Sequence, residues 1–489
     1  MRRRVAVIGG GVSGLAAAHH LLEIDPDIDV LLLEASDRLG GVIETVKQDG
    51  FLIESAADNF ITTPPTAVKL CERIGLGNDL IGTSPTGRKA MVVSHGRLEP
   101  IPEGFLIMAP SRIWPLASTR TLGMFGKLRA GWEYFVPRKY REDDESLSAF
   151  VTRRFGKELF DRLVQPLVGG IYTADPEKLS VAATMPRFLE MEREHGSLIR
   201  AMLKAKKGKP KEKTSGARYG QFAALRGGMF SLIDALTERL PENTIRLDSP
   251  VTTIRANGPN NNVRWTIQIG GKNPTSVDVD GVIVATPARH AASMLREVDS
   301  KIADELSQIE YASCAVLSMG FRRDQIRHPL NAFGFVVPIV ENRKILSCSF
   351  SSIKYEGRAP QDHVLLRVYI GGACQSELLE KSDSELIKIA KSELADLIGL
   401  QGDPLFERMS LQRQAMPQYH VGHCDRATLI NRRLESFATL GLAGNSLNGV
   451  GVPGCIDSGE IAARRVTNAF AEADASANVD QPAIESSHQ

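Results

Sequence analysis

No stretch of this 489-residue sequence stays apolar for the roughly 18 residues that a bilayer-spanning helix needs, so no transmembrane segment is expected. The first residues run straight into an apolar strand pattern at Val5, so no signal or transit peptide is expected. Cysteine is sparse. Cys71, Cys314, Cys348, Cys374, Cys424 and Cys455 are scattered without a C-x-x-C pair, so reduced thiols in a cytosolic protein are expected rather than a disulfide framework. Charge of one sign is missing too: a net charge of +1 gives no overall nucleic-acid signature, and no nucleic-acid partner is expected. Neither a Ser-His-Asp arrangement nor a catalytic carboxylate pair is visible. His420, His423 and Cys424 lack a further ligand at finger-like spacing, so no metal site is expected. His19 and His20 are read as packing or surface residues. With 43% hydrophobic and 24% charged residues the composition is that of a globular protein, long enough for two or three domains.

Against these absences stands one dense stretch, Arg4 to Gly41. The apolar run Val5-Ala6-Val7-Ile8 ends in Gly9-Gly10-Gly11-Val12-Ser13-Gly14, and Leu15 to Leu22 reads as a helix with no breaker. A second apolar run, Val30 to Leu33, ends in Glu34, 20 residues beyond Gly14. Strand, glycine-rich turn, helix and strand with a terminal acid together predict a dinucleotide-binding unit, a glycine-rich turn with no ligand being the plain alternative. Gly9 allows the tight turn, Gly11 lets backbone approach a pyrophosphate, and Gly14 lets helix and sheet pack closely. The helix start offers N–H groups to phosphate, and Glu34 suits ribose hydroxyls.

Farther on, Phe51 to Ser55 suggests a strand leading into Ala57, Asp58, Asn59 and Phe60, and a helix is predicted over 65–74. Met91 to Pro102 reads as a β-hairpin. Helices dominate from Pro110 to about Ala205. Within them, residues 111–136 are basic and amphipathic, a composition that fits a membrane-surface helix or ordinary core packing equally. Residues 204–213 are a charge run, read as a solvated linker or, alternatively, a basic contact to anionic lipid. Asp248 to Ile254 and Val277 to Ala285 read as strands. Four strands between 310 and 373, followed by a helix from Ser384 to Ile398, make an antiparallel sheet with helices. A second strand–glycine–helix unit follows at Thr439 to Asn445 and Gly449 to Gly454, whose helix start could stabilise negative charge on a bound cofactor.

Glu34-Ala35-Ser36-Asp37-Arg38-Leu39-Gly40-Gly41 resembles the E-x-x-x-R-x-G-G signature of the flavin amine oxidase superfamily, which implies FAD rather than NAD. The resemblance implies that Arg38, Gly40 and Gly41, with Val42 next to them, lie along the pyrophosphate and flavin end; a surface salt bridge is the plain alternative for Arg38. It places Ala57 to Phe60 near the isoalloxazine, although a loop capped by Asp58 or Asn59 explains the same residues. Val251 matches a residue beside the adenine, or is simply a buried strand valine. Gly444, Asn445, Val450, Gly451 and Val452 complete the expected FAD contacts.

The segment Gln165-Pro166-Leu167-Val168-Gly169-Gly170-Ile171-Tyr172-Thr173-Ala174-Asp175-Pro176, with Leu179 and Ser180, is similar to a segment of the oxygen-dependent protoporphyrinogen oxidases. So are Ala415 to Tyr419, Leu442 to Gly459, and Arg358-Ala359-Pro360. That resemblance covers Val5 to about Arg465. It implies oxidation of protoporphyrinogen IX to protoporphyrin IX by FAD, with hydride passing to flavin N5 and O2 as acceptor, giving H2O2. No side chain is then expected to act as a catalytic group. Leu346 matches an aliphatic residue that sandwiches a pyrrole. Tyr355 matches a stacking aromatic, or is a surface tyrosine. Gly170 brings a carbonyl to the tetrapyrrole, or is a helix C-cap. Where animal and plant members carry a propionate-binding arginine, this chain has Ala90. Arg88 shares its strand face and reaches the same pocket, or is a surface arginine. Coproporphyrinogen III is therefore an alternative substrate, and a flavin amine oxidase or carotenoid desaturase a more distant reading. Hand-off of porphyrin to ferrochelatase, a homodimer, and a cytoplasmic location with or without contact to the inner membrane face are the remaining expectations.

The fold so implied is α/β and α+β, a flavoprotein with two dinucleotide-binding folds. Its Rossmann-like FAD domain is discontinuous (1–88, 218–300 and 411–470). An antiparallel-sheet substrate domain (89–110 and 301–410), a helical, membrane-facing or core-packed domain (111–217) and a disordered tail (471–489) complete it.

Overall fold

Strand Arg4–Ile8 sends Val5 and Val7 to one face and Ala6 and Ile8 to the other, and both faces are buried. Its neighbours behave alike: Val30 and Leu32 join the first face, Leu31 and Leu33 the second. A strand covered on both sides can be apolar at every position, which is why these runs do not alternate with polar residues. The computed structural model describes residues 2–86, 89–110, 113–140, 143–208, 221–257 and 264–479. In it, five parallel strands lie in the order Ile245–Arg246, Asp29–Leu33, Arg4–Ile8, Gly281–Val284 and Leu440–Leu442. Helices Val12–Ile24 and Val452–Val479 cover one face. A three-stranded antiparallel sheet (Val251–Asn257, Arg264–Ile269 and Thr275–Val279) and helices Ala288–Leu295, Ser300–Ser307 and His423–Leu434 pack on the other. Distant parts of the chain thus share one nucleotide-binding unit.

The second sheet has seven strands in the order Phe406–Pro417, Tyr311–Arg322, His363–Gly371, Ser347–Phe350, Gly334–Val336, Met91–Ser94 and Arg97–Pro100. All neighbours are antiparallel except Gly334–Val336 with Met91–Ser94. Ala315, Leu317, Met319, Val368 and Ile370 bury one face beneath helix Asp383–Ile398. That helix starts at a Ser382–Glu385 capping box and stops at left-handed Gly399. Period-two alternation turns Ser318, Arg367, Tyr369 and Ser347 to the opposite face, toward the nucleotide unit.

Among the described residues, eight α-helices between Ile113 and Gly208 surround a third core containing Phe150, Phe155, Leu163 and Phe188. At its centre Glu133 and Arg154 are wholly buried and bonded to each other. The apolar residues of 113–136 divide: Leu116, Leu122 and Ala130 are core, whereas Trp114, Phe125 and Trp132 are exposed.

Three expectations need correcting. The tail is not irregular from 471, because the last helix continues to Val479 on an Ala-rich sequence of high helix propensity; residues 480–489 lie outside the described residues. The charged stretch is helical through Gly208, its remainder lying outside the described residues. Residues 411–417 belong to the antiparallel sheet, since Leu411 to Pro417 continue the ladder with Tyr311–Arg322, while helix Ser300–Ser307 packs on the nucleotide unit.

Candidate functional site

Both glycine-rich turns lie at the carboxyl ends of the parallel strands, where ligands bind in open α/β sheets. At the first, Gly9 is left-handed, with φ of 108°. A Cβ on Gly14 would fall 1.9 Å from the Gly9 carbonyl oxygen, so only glycine fits there, whereas a Cβ on Gly11 would meet open space. No side chain caps helix Val12–Ile24, whose first turn carries Val12 and Ser13. Glu34 accepts the Gly10 N–H at 2.6 Å and the Ser36 N–H and hydroxyl at 2.8 Å, which fixes its carboxylate beside the turn. Arg38 donates to the carbonyls of Leu39, Gly41 and Ile43 at 3.1, 2.6 and 3.2 Å. It therefore clamps the Gly40–Gly41 turn, which in turn meets Gly11 through a backbone bridge between Gly11 and Gly40. Ala35 and Val42 are exposed along this rim.

The second turn follows strand Leu440–Leu442 at the same carboxyl-end edge of the sheet. Gly444 donates its N–H to the Ser458 hydroxyl at 2.8 Å, and the Asn445 carbonyl accepts the Tyr419 hydroxyl at 2.6 Å. Val450 is half-buried against the helical core, Gly451 precedes the helix, and Val452 begins it. That helix crosses the first one so closely that a Cβ on Gly459 would lie 2.3 Å from the Ser13 carbonyl oxygen. Val251, half-buried, opens its strand opposite Ile269 and packs on the second face of the parallel sheet. The two turns, the fixed Glu34 and the open space before Gly11 make a cradle whose residues suit FAD.

Between this cradle and the polar face of the seven-stranded sheet lies the turn Ala57 to Phe60. Phe60 is core; Ala57, Asp58 and Asn59 are half-buried. Asp58 accepts from the Asn59 amide and lies 3.5 Å from Lys354 Nζ and 3.4 Å from Arg367 Nη1. Burial works against the Asp58 carboxylate, but Lys354 and Arg367 outweigh it and hold its pKa below the usual value. Arg367 is fully buried. It donates through Nη2 to the Ala56 carbonyl, while its Nε and Nη1 make no hydrogen bond.

Along the same sheet face a cavity is lined by Ala90, Phe333, Val336, Ser347, Ser349, Lys354 and Tyr369. Gly170 lies at its helical end: a Cβ there would be 3.6 Å from Val336. Leu346 is half-buried and close to Gly372, whose added Cβ would be 3.2 Å from it. Tyr355 is elsewhere. It is 1% exposed, packed on Ile81 and Ala224 behind the cavity, and Tyr369 stands on the wall instead. Lys354, the last residue of the short helix Ser351–Lys354, lines the cavity while Tyr355 after it turns inward. Arg88 lies outside the described residues. A larger cavity at the other end of the sheet, lined by Asp175, Lys178, Glu310, Arg413 and His420, has mixed charge.

His423 is buried, stacked on Tyr419 at 4.0 Å, with Nε2 2.9 Å from the Leu447 carbonyl. Its ring is committed to structure. All six cysteines are free thiols. Sequence reading missed Lys354, Arg367 and Tyr369. The available signal was an arginine inside the otherwise apolar strand Val364 to Ile370.

A discontinuous dinucleotide fold with paired glycine turns above an antiparallel sheet defines an FAD-dependent oxidoreductase of the flavin containing amine oxidoreductases. The chain belongs to that family, whose sequence profile matches residues 12–467. Within it, the chain is 32% identical to a coproporphyrinogen III oxidase of Bacillus subtilis (strain 168) over 466 residues, covering 94% of this chain and 97% of the relative. It is 29% identical to protoporphyrinogen oxidase 2 of Arabidopsis thaliana over 479 residues, covering 94% and 92%. A solved structure from Exiguobacterium sp. 255-15, assigned as a protoporphyrinogen oxidase, superposes with a TM-score of 0.83 at 29% identity, covering 96% of this chain and 99% of that one. Cyclohexylamine oxidase from Brevibacterium oxydans shares the fold alone, at a TM-score of 0.65 and 16% identity over 97% and 100% of the two chains.

Proposed function

We propose that this enzyme oxidises a porphyrinogen to its porphyrin, with O2 as the final acceptor. The observation that carries the proposal is the cavity between the flavin cradle and the sheet, with Val336, Tyr369 and Phe333 on its wall, opening toward Gly170 and Leu346. Bound FAD supplies a two-electron acceptor that O2 reoxidises to H2O2. Removal of six electrons and six hydrogens from the macrocycle then consumes three O2 and releases three H2O2. The chain's own work is positioning. Leu346, Val336 and Tyr369 offer a flat apolar and aromatic surface, and Gly170 admits the ring edge close to backbone. The Ala57–Phe60 turn borders both this surface and the cradle, and burial of the sheet face limits water. Protoporphyrinogen IX and coproporphyrinogen III both suit this reading. The second is favoured by the higher identity to coproporphyrinogen III oxidases, 32% against 29% for the plant relative.

The test is direct. FAD-loaded protein is mixed with coproporphyrinogen III, protoporphyrinogen IX or a primary amine, and porphyrin fluorescence and H2O2 are followed. Porphyrin formation far above autoxidation, with three H2O2 for each porphyrin, is expected. Amine oxidation with porphyrinogens turning over only at the buffer rate would refute the reading.

The helical unit supports a partner as well. Trp114, Phe125, Trp132 and Tyr140 are 82%, 87%, 61% and 84% exposed, with Met124, Leu128 and Phe135 among them. The same segment, 113–140, carries Arg120, Lys127, Arg129, Arg138 and Lys139, and its one acid, Glu133, is fully buried. An apolar surface whose segment carries a surplus of cations, with Glu158 the acid that meets it at Gly123, matches an anionic lipid surface, and we infer that this face rests on one. Among the described residues no helix is long and apolar enough to cross a membrane. Vesicles containing phosphatidylglycerol should sediment the protein and pure phosphatidylcholine far less. Phe125→Asp with Trp132→Asp should leave it in solution. A dimer dispersed by the same substitutions, without vesicle binding, would assign the face to a second copy instead.

A further inference from the structure

Among the described residues, Lys354 is the one charged side chain on a cavity wall otherwise made of neutral groups, among them Ala90, Phe333, Val336, Ser347, Ser349 and Tyr369. Its ammonium has a single carboxylate near it, Asp58 at 3.5 Å, and it shares that carboxylate with Arg367 at 3.4 Å. The buried surroundings do not restore the balance. Lys354, Arg358 and Arg367 are the cations acting on Asp58, and Glu54 is the other carboxylate acting on Arg358 and Arg367. Three cations therefore face two carboxylates, and burial raises the pKa of Glu54, which favours its neutral form. Among the described residues, at least one positive charge in this cluster lacks a carboxylate of its own.

The hydrogen bonding points the same way. Arg358 is satisfied, donating to the Leu225 and Arg226 carbonyls. Arg367 is wholly buried; its Nη1 has only the shared Asp58 carboxylate, at 3.4 Å, and its Nε closes no hydrogen bond. Unpaired cations removed from water are costly, and a carboxylate reaching the cavity would relieve that cost through charge-assisted hydrogen bonds. The phosphate-handling turns lie on the other side of Ala57–Phe60, so the ligand group that meets Lys354 enters along the sheet. Val336 joins the two ends of the slot, touching the Gly170 position and lining the Lys354 cavity.

We propose that Lys354, backed by Asp58 and Arg367, binds one propionate carboxylate of the tetrapyrrole and so fixes which edge of the macrocycle enters first. Lys354 makes the contact. Asp58 and Arg367 are positioning residues, with Arg367 tying the Asp58 turn to the sheet through the Ala56 carbonyl. The inference rests on the porphyrinogen reading and deepens it.

The test measures binding of coproporphyrin III and of its tetramethyl ester to FAD-loaded enzyme, by quenching of porphyrin fluorescence. Lys354→Met should weaken the free acid about 10- to 100-fold, as expected for loss of a charge-assisted contact, and leave the ester unaffected. Lys354→Arg should recover most of the loss. KM for the porphyrinogen should rise by a larger factor than kcat falls. Should Lys354→Met not retain FAD, Lys354→Gln is read in the same way. An unchanged affinity for the free acid, equal losses for acid and ester, or an effect confined to the flavin spectrum would each overturn the assignment. The two failures are separable. If unsubstituted enzyme neither binds porphyrin nor oxidises porphyrinogen, the functional reading falls; if it does both and Lys354→Met changes neither affinity, only this assignment falls.

Discussion

Replacing Glu133 by glutamine should cost more stability than any surface substitution, because this carboxylate holds the helical unit together from inside. Its side chain is 0% exposed, as is that of Arg154. One carboxylate oxygen accepts from Arg154 Nε at 2.8 Å and from the Leu198 N–H at 2.8 Å. The other accepts from the Ser197 hydroxyl at 2.6 Å and the Ile199 N–H at 3.1 Å. Glu133 thus pairs a buried guanidinium and caps the start of helix Leu198–Gly208. Glutamine keeps the shape but removes the charge and offers an NH2 group where one set of donors points. Arg154 would retain Glu192 at 3.2 Å and the Gly196, Val136 and Pro137 carbonyls. That residual bonding sets the expected loss at the lower end of the range for breaking a buried pair, about 3 kcal/mol, against ~5 kcal/mol if Arg154 were left alone. Calorimetry and guanidinium melts would measure it. Glu133→Leu with Arg154→Met should cost less than the sum of the single substitutions, because the unpaired charge is removed with its partner. A Glu133→Gln loss below about 1 kcal/mol, the scale of an exposed pair, would refute the reasoning. Glu133 sits between Trp132 and Tyr134, so the same substitution should also loosen the exposed aromatic face and weaken vesicle binding.

Gly14→Val places a side chain where even a Cβ is 1.9 Å from the Gly9 carbonyl oxygen; FAD affinity should drop about 10- to 100-fold through displacement of the turn, and retention of yellow cofactor through gel filtration would contradict this. Gly170→Ala adds a methyl in ordinary contact with Val336 and favours the helix by up to about 1 kcal/mol, so the melting temperature should hold or rise while KM for the porphyrinogen increases; a fall in stability would show that Gly170 is needed as a helix terminus instead. Burial lowers the pKa of His423 from its ordinary value of 6.5, and its Nδ1 has no acceptor for a second proton. The unfolded chain therefore takes up this proton first. Stability from this residue is complete above about pH 6.5 and declines below it, by at most about 1.4 kcal/mol per pH unit. The slope of melting temperature against pH between 7.5 and 5.5 should be shallower in His423→Phe, and equal slopes would count against the account.

The nucleotide-binding half was legible because its determinants are local. Strand, turn, helix and acid fall within Arg4 to Gly41, and each residue type there answers a constraint set by near neighbours. Gly14 must pass the Gly9 carbonyl, and Arg38 clamps a turn three residues away. The slot was less legible for the opposite reason. Asp58, Lys354 and Arg367 come from three separate parts of the chain, and only strand register turns Arg367 and Tyr369 toward Asp58 while Tyr355 packs behind. Hydrophobic pattern alone also left residues 111–136 undecided, since the same side chains suit a core or a lipid surface.

The sequence by itself therefore determined the cofactor, the chain-end pairing of glycine turns and the family, through short-range stereochemistry that allows few alternatives. The tertiary structure decided which cations border the substrate cavity and which aromatic residues stay outside the helical core. Those outcomes depend on side-chain direction and on burial against distant elements, which are properties of packing rather than of any single segment.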